Sequence, residues 1–316
     1  MEDGGNIEGN CTFRKLPVQA DHRRMELLMK SFDGEIEVVE INDHLTYFYW
    51  GRHLDHKMMD MQLGGGSFAI YKGSSAIVVD TMTQPGQGLW VKQYLEKAHA
   101  IKFFTVVNTH WHVDHIIDNS VYRDCTIVGH SYTRKIMQEN KSTFETGDFE
   151  DYPAFSVQPP NLTFEGRLDL WLEDIKVELH EVLVHAKGQL GLILPDEKIF
   201  IASDILEDPL WFFDFDIASP ETQLAELERL MRMNIEQILP SHGSLDVIKA
   251  GGYNKNLIKN NADYLRQMIG DKDNPALLDK SAQDYIGEAL KAGELRWWEP
   301  YAKVHELNKD AIKKLS

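Results

Sequence analysis

The amino-acid sequence predicts a layered α/β fold: two sheets packed as a sandwich, helices outside, and helical additions at both ends. Three observations carry that expectation. Strand-like runs alternate with helical spacing through the central two thirds of the chain. Two β-rich stretches follow the same order, strands and then a helix. Of 316 residues, 43% are hydrophobic and 26% charged, the proportions of a chain that can bury a sizeable core.

Residues 1–34 read as an extension, with an amphipathic stretch (ADHRRMELLMKSF) that ends as a helix at Asp33-Gly34. The first sheet follows as IEVVEI, LTYFYW, SFAIY and SAIVVD, the last two joined by a turn at Lys72-Gly73-Ser74. A helix, LWVKQYLEKAHA, precedes the buried strand FFTVVNT at 103–109, and the alternation continues through CTIVGH and the helix SYTRKIMQEN. The stretch 141–164, rich in aromatic and acidic residues, is too long for a simple connector. The second sheet reads as LDLWLE, IKVELHEVLV, GLILP and KIFIASD, with a turn at Pro195-Asp196-Glu197. The helix PETQLAELERLMRM and the strand IEQILPS close a domain spanning 35–249, and residues 250–316 read as a helical extension.

Charge narrows the function. Thirty-three Lys and Arg against fifty Asp and Glu give a net charge of −17, which disfavours a nucleic-acid binder and a partner of acidic membranes. No window is apolar enough to span a bilayer, and the start MEDGGNIEGN lacks the basic and apolar regions of a secretory signal, so a cytoplasmic location is expected. Cys11 and Cys125 have no zinc or redox spacing.

The chemistry concentrates in NTHWHVDH, which places His110, His112, Asp114 and His115 on one loop directly after a buried strand. Imidazole and carboxylate donors suit zinc and other borderline first-row metals. The spacing lets His110 and His112 face one ion while Asp114 and His115 turn toward another. Further ligand types stand where later strands end: His185 after EVLV, Asp204 after KIFIAS and His242 after IEQILPS. Strand ends hold side chains rigidly and leave them open to a cleft.

These residues resemble the metallo-β-lactamase superfamily, with its His-x-His-x-Asp-His loop and its distant His, Asp and His, over about residues 35–245. The resemblance implies a four-layer αβ/βα sandwich with metals at one edge. It assigns His110, His112 and His185 to one ion, Asp114, His115 and His242 to a second, Asp204 to a bridge between them, and Asp80 to bracing the metal loop. Two zinc ions are the implied cofactor, with manganese or iron compatible with the same donors. They would acidify a shared water into a nucleophile, and with one site filled Asp114 would serve as general base. The chain departs from the family in carrying Ile116-Ile117-Asp118-Asn119 where two glycines commonly follow the loop. Asp at 204, in place of the thiolate of the zinc β-lactamases, resembles the two-ion hydrolases of the superfamily.

The expected function is therefore hydrolysis of an ester-like bond (lactone, ester, thioester or amide) in a small organic substrate with a hydrophobic part. β-Lactam hydrolysis, hydrolytic dehalogenation and a non-enzymatic binding role are the alternatives. Trp111, Lys187, Trp211, Phe212 and Phe213 are candidate substrate contacts, with Trp50, Tyr152 and Phe155 weaker ones. Gly64-Gly65-Gly66 reads as a flexible hairpin loop over the active site, since no lysine and serine follow to cradle a phosphate. Histidines 22, 44, 53, 56, 99 and 305 read as surface or packing residues, and so, with less weight, do His130 and His180. The helical ends, with Trp297-Trp298, are expected to form a homodimer contact or a pocket wall.

Overall fold

A computed structural model describes residues 36–51, 64–150, 152–208, 219–299 and 301–314. Trp211, Phe212, Phe213, the amphipathic N-terminal stretch, Cys11, His22, His53 and His56 lie outside the described residues.

Seven strands form the first sheet in sequence order: β1 (Glu37–Asn42), β2 (Leu45–Trp50), β3 (Gly65–Lys72), β4 (Ser75–Val79), β5 (Phe103–Val107), β6 (Thr126–His130) and β7 (Leu162–Phe164). β1 to β4 pair antiparallel, and β4 to β7 pair parallel. The parallel half requires crossovers, which are supplied by α1 (Gln87–Ala98) between β4 and β5 and by the His110–His115 loop with the short helix α2 (Val113–Ile116) between β5 and β6. Helices α3 (Ser131–Glu139) and α4 (Lys141–Thr146) lead to β7, so the long connector expected after residue 140 contains a helix and an edge strand.

The second sheet has the order β12-β11-β10-β9-β8, from β8 (Arg167–Leu172), β9 (Ile175–Glu181), β10 (Leu190–Leu194), β11 (Ile199–Ser203) and β12 (Gln237–Pro240). Its strands are antiparallel except β11 and β12, whose parallel pairing is reached through α5 (Pro220–Arg232). α5 begins with Ser219 capping the Thr222 N–H and a proline in the first turn, the start signals its sequence carries.

Alternation along β2 shows how the layers form. Tyr47 and Tyr49 point into the cluster between the sheets, with Phe68, Ile70, Leu192 and Phe200. Phe48 and Trp50 point the other way, against Val91 and Leu95 of α1. Both faces of the sheet are covered, which is why the strand reads as an unbroken apolar run. Trp50 is thus a core residue on a strand, packed against α1.

On the far side, Leu227 and Leu230 of α5 join the inter-sheet cluster. So do Leu257, Ile258, Leu265 and Met268 of α7 (Asn256–Asp271), which follows α6 (Leu245–Lys249). The chain continues through α8 (Pro275–Leu278), α9 (Ala282–Lys291) and α10 (Tyr301–Lys313). α9 starts with a reciprocal Ser281 and Asp284 capping box. Among the described residues no helix is long and apolar enough to cross a membrane.

Candidate metal centre

The strands deliver the seven ligand candidates to one edge of the sandwich. His110 follows β5, His112 precedes α2, and Asp114 and His115 lie on α2. His185 follows β9, Asp204 follows β11 and His242 follows β12. Their donor atoms fall into two groups, His110, His112, His185 and Asp204, and Asp114, His115, Asp204 and His242; within each group every donor lies within 4.8 Å of the others.

Asp204 belongs to both. Its Oδ2 is 3.0 Å from His115 Nε2, 3.5 Å from His110 Nε2, 3.6 Å from His242 Nε2 and 3.7 Å from His185 Nε2. The groups also close on themselves, with His185 Nε2 3.0 Å from His112 Nδ1 and His242 Nε2 3.3 Å from Asp114 Oδ2. A tetrahedral ion holding ligands at about 2.0–2.1 Å places them about 3.3 Å apart, so these separations fit a first-row ion in each group. His110 Nε2 is fully buried and has no hydrogen-bond partner among the described residues, a costly state that an ion would relieve.

Outer contacts fix which nitrogen of each ring faces inward. His242 Nδ1 donates to the Gly64 carbonyl at 2.8 Å, and His115 Nδ1 donates to Asp80 Oδ2 at 2.8 Å. Both rings therefore present Nε2 to the centre. Asp80, 1% exposed at the end of β4, also accepts from Thr109 N and Thr109 Oγ1, both at 2.7 Å. Thr109 Oγ1 further meets His110 Nδ1 at 3.1 Å and Ser203 Oγ at 2.8 Å. Asp80 and Ser203 sit at φ 62 and 49, uncommon for residues with a Cβ, and strained backbone of this kind clusters at functional sites. The His185 loop is held by Gln189 Oε1, which accepts from the N–H groups of His185 and Ala186.

Burial and charge divide the imidazoles. Burial, reinforced by His115 and His112, pushes the His110 pKa well down; burial outweighs the pull of Asp204 and holds His185 down at about 3. These rings are neutral and ready to ligate. At His115 and His242 burial is overcome by carboxylates, Asp204 first, which raise the pKa of His242 to about 10 and of His115 well above its ordinary value. Against burial, the same pairs, led by His115, pull Asp204 and Asp114 far below the carboxylate range. A cation entering this second group would take the place of protons.

The other candidates are placed as follows. Trp111 is half-buried, its ring centroid 4.6 Å from that of His112 and 6.3 Å from that of Phe149. It packs on an aromatic cluster of Phe144, Phe149, Tyr152 and Phe155. Phe155 is a buried member of that cluster, stacked on Phe144. Lys187 is exposed, with Nζ 5.0 Å from the Tyr132 ring centroid.

The glycine triplet is not a hairpin loop. Gly65 and Gly66 open β3, and all three glycines are buried. A Cβ on Gly66 would strike the Tyr47 ring and the Phe48 carbonyl, and one on Gly65 would come within 2.7 Å of Thr83 and 3.1 Å of the His242 ring. Gly64 contributes its carbonyl and Gly65 its lack of a side chain, roles that only the three-dimensional approach of His242 reveals. Thr109, Ser203, Gln189 and the Gly64 carbonyl are contacts that the sequence pattern did not single out; adjacency to the ligands was the only signal for the first two.

Two packed sheets carrying two adjoining His and Asp donor groups at one edge define a class of α/β protein built around a candidate binuclear metal site. Residues 63–242 match the family described as the metallo-beta-lactamase superfamily, more than half of the chain, and the protein belongs to that superfamily. Among solved structures it is similar to a metallo-beta-lactamase from Pontibacter korlensis, with 14% identity, TM-score 0.58, and 73% of this chain and 99% of that one covered. It is also similar to the mono-zinc form of the metallo-beta-lactamase FIM-1 from Pseudomonas aeruginosa, with 13% identity, TM-score 0.57, and 74% and 96% covered. At such identities the likeness concerns the fold.

Proposed function

We propose that this protein is a metal-dependent hydrolase that cleaves an ester-like bond (lactone, ester, thioester or amide) in a small organic substrate with a hydrophobic part. One observation carries the reading: a single carboxylate oxygen, Asp204 Oδ2, stands 3.0–3.7 Å from four imidazole nitrogens drawn from both donor groups. Two divalent ions, zinc by the nature of the donors, would supply Lewis acidity and bring a water toward ionisation at neutral pH.

The chain's own residues do the rest. His110, His112 and His185 would hold the first ion, and Asp114, His115 and His242 the second, with Asp204 fixing their spacing. Asp80, Thr109 and the Gly64 carbonyl keep the rings from turning, so the centre is organised before a substrate arrives. Asp114 Oδ2, 3.3 Å from His242 Nε2 and 3.6 Å from His115 Nε2, would accept the proton of an attacking water when only the first group is loaded. Trp111 and the aromatic cluster behind it would form an apolar wall beside His112 and favour a substrate with a hydrophobic part.

Elemental analysis joined to a hydrolysis panel of lactones, esters, thioesters, amides and a β-lactam tests this. The expected result is about two equivalents of metal, turnover of at least one ester-like class, and loss of turnover without unfolding in Asp204→Ala and His110→Ala. Full activity in a metal-stripped sample would refute it. The β-lactam belongs in the panel because the similar solved structures are named as β-lactamases.

A further inference from the structure

We propose that the C-terminal helix α10 is a working part of the metal centre: Tyr301 holds Glu207, and Glu207 orients the His185 imidazole from behind, a positioning chain that reaches the first donor group. The proposal rests on the metal-site reading above and adds to it a partner for His185 drawn from the helical extension.

His185 turns Nε2 toward His112 Nδ1 at 3.0 Å and toward Asp204 Oδ2 at 3.7 Å. Its other ring nitrogen, Nδ1, is 3.9 Å from Glu207 Oε1. Glu207 belongs to neither donor group, so its carboxylate is placed to support a ligand and not to be one. It is 4% exposed, and its Oε2 accepts a 2.5 Å hydrogen bond from the hydroxyl of Tyr301, also 4% exposed, on α10. The residues are 94 positions apart in sequence, so the contact exists only when the extension is docked. At the second donor group a carboxylate also stands behind a ligand candidate, there in direct hydrogen-bond contact, with Asp80 Oδ2 2.8 Å from His115 Nδ1.

Electrostatics explains why the extension is needed. Asp204, Glu207 and Asp208 fall within five residues and all are buried, which would be costly unless each carboxylate has its own donors. Asp204 has the imidazoles. Asp208 has the Arg296 N–H at 2.7 Å and the Tyr253 hydroxyl at 2.8 Å, both from beyond residue 250. Glu207 has Tyr301. A hydroxyl donor stabilises the carboxylate without neutralising it, so Glu207 keeps its negative charge 3.9 Å behind His185 Nδ1 and favours the ring orientation that turns an Nδ1–H toward it. Carboxylates behind ligating histidines typically strengthen metal binding by about 10–100-fold.

The test uses full-length, metal-stripped protein and zinc affinity measured by competition with a chromophoric chelator. Tyr301→Phe and Glu207→Gln are each expected to weaken one zinc equivalent by about tenfold and leave the other unchanged, with the double variant no worse than the weaker single. Tyr264→Phe removes a 2.7 Å contact with His305 inside the same extension; it should lower the thermal midpoint and leave zinc affinity unchanged. Should Glu207→Gln fail to fold, Tyr301→Phe, which deletes one oxygen, decides alone. Wild-type affinities in these variants, with two equivalents bound, would overturn the positioning chain and leave the hydrolase reading standing. A wild-type protein that binds no zinc would remove both.

Discussion

Replacing Asp80 with asparagine isolates what the brace beneath the metal loop contributes. The substitution is nearly isosteric, and asparagine tolerates the left-handed backbone at φ 62, so packing and chain path are preserved. Oδ1 can still accept from Thr109 N. The other oxygen, which accepts from Thr109 Oγ1 at 2.7 Å and His115 Nδ1 at 2.8 Å, becomes an NH2 group that can only donate. The threonine hydroxyl can reverse and accept. The His115 ring, held protonated by Asp204, Asp114 and Asp80, cannot do so without giving up its Nδ1 proton. A lost charge-assisted hydrogen bond in a buried site costs about 1.5–3 kcal/mol, so metal-free Asp80→Asn should unfold about 2–3 kcal/mol more easily in urea at neutral pH. If the ring instead changes tautomer, Nε2 carries the proton toward Asp204 and is blocked as a ligand. Either route weakens zinc at the second donor group, by about 10–100-fold for an outer partner of this kind. Urea titration of the stripped protein and chelator competition measure the two effects separately. A variant within about 0.5 kcal/mol of wild type that keeps both zinc affinities would refute the bracing role.

Two further outcomes follow from buried contacts away from the ligands. Burial pushes the Asp118 carboxyl up to about 7 although Gly86 and Gly88 N–H groups donate to it, so the folded state holds its proton more tightly than the unfolded chain. Its contribution is present below about 4 and is lost as pH rises through about 7. The urea stability of stripped wild type relative to Asp118→Asn should therefore fall by about 1.4 kcal/mol per pH unit across that window and then level off; a flat difference would contradict the assignment. Gly66→Ala places a Cβ against the Tyr47 ring and the Phe48 carbonyl, and should destabilise by about 1–3 kcal/mol, with a lower thermal midpoint for both metal-free and metal-loaded protein. An unchanged midpoint would show that the strand can shift to accept the methyl group.

The difference between what the sequence disclosed and what it concealed follows from the range of the interactions involved. Strands such as LTYFYW and GLILP were legible because covering both faces of a sheet demands an unbroken apolar run, a local pattern. The helices of residues 250–316 were legible from apolar spacing, to which the structure adds local caps such as Ser281 with Asp284. The ligand candidates could be picked out because a metal needs particular donor types at strand ends, and the donor types are written in the sequence; the structure brings them into two groups. Their outer supports were not. A backbone carbonyl at Gly64 has no residue signature, and its partner His242 lies 178 positions away. Gly64-Gly65-Gly66 looked like a loop because local propensity assigns glycine runs to turns; the tertiary demand that two tyrosine rings and a histidine pass close to the backbone reverses that preference. Asp118 lies in the segment after the His110–His115 loop that departs from the family's glycines, and nothing local announces that its carboxylate receives N–H groups at the start of α1. Metal coordination leaves a chemical signature in the chain, whereas the contacts that orient the coordinating rings are chosen by geometry alone; Glu207 and Tyr301 belong to that second kind, which is why their pairing emerges only once α10 is docked against the turn after Asp204.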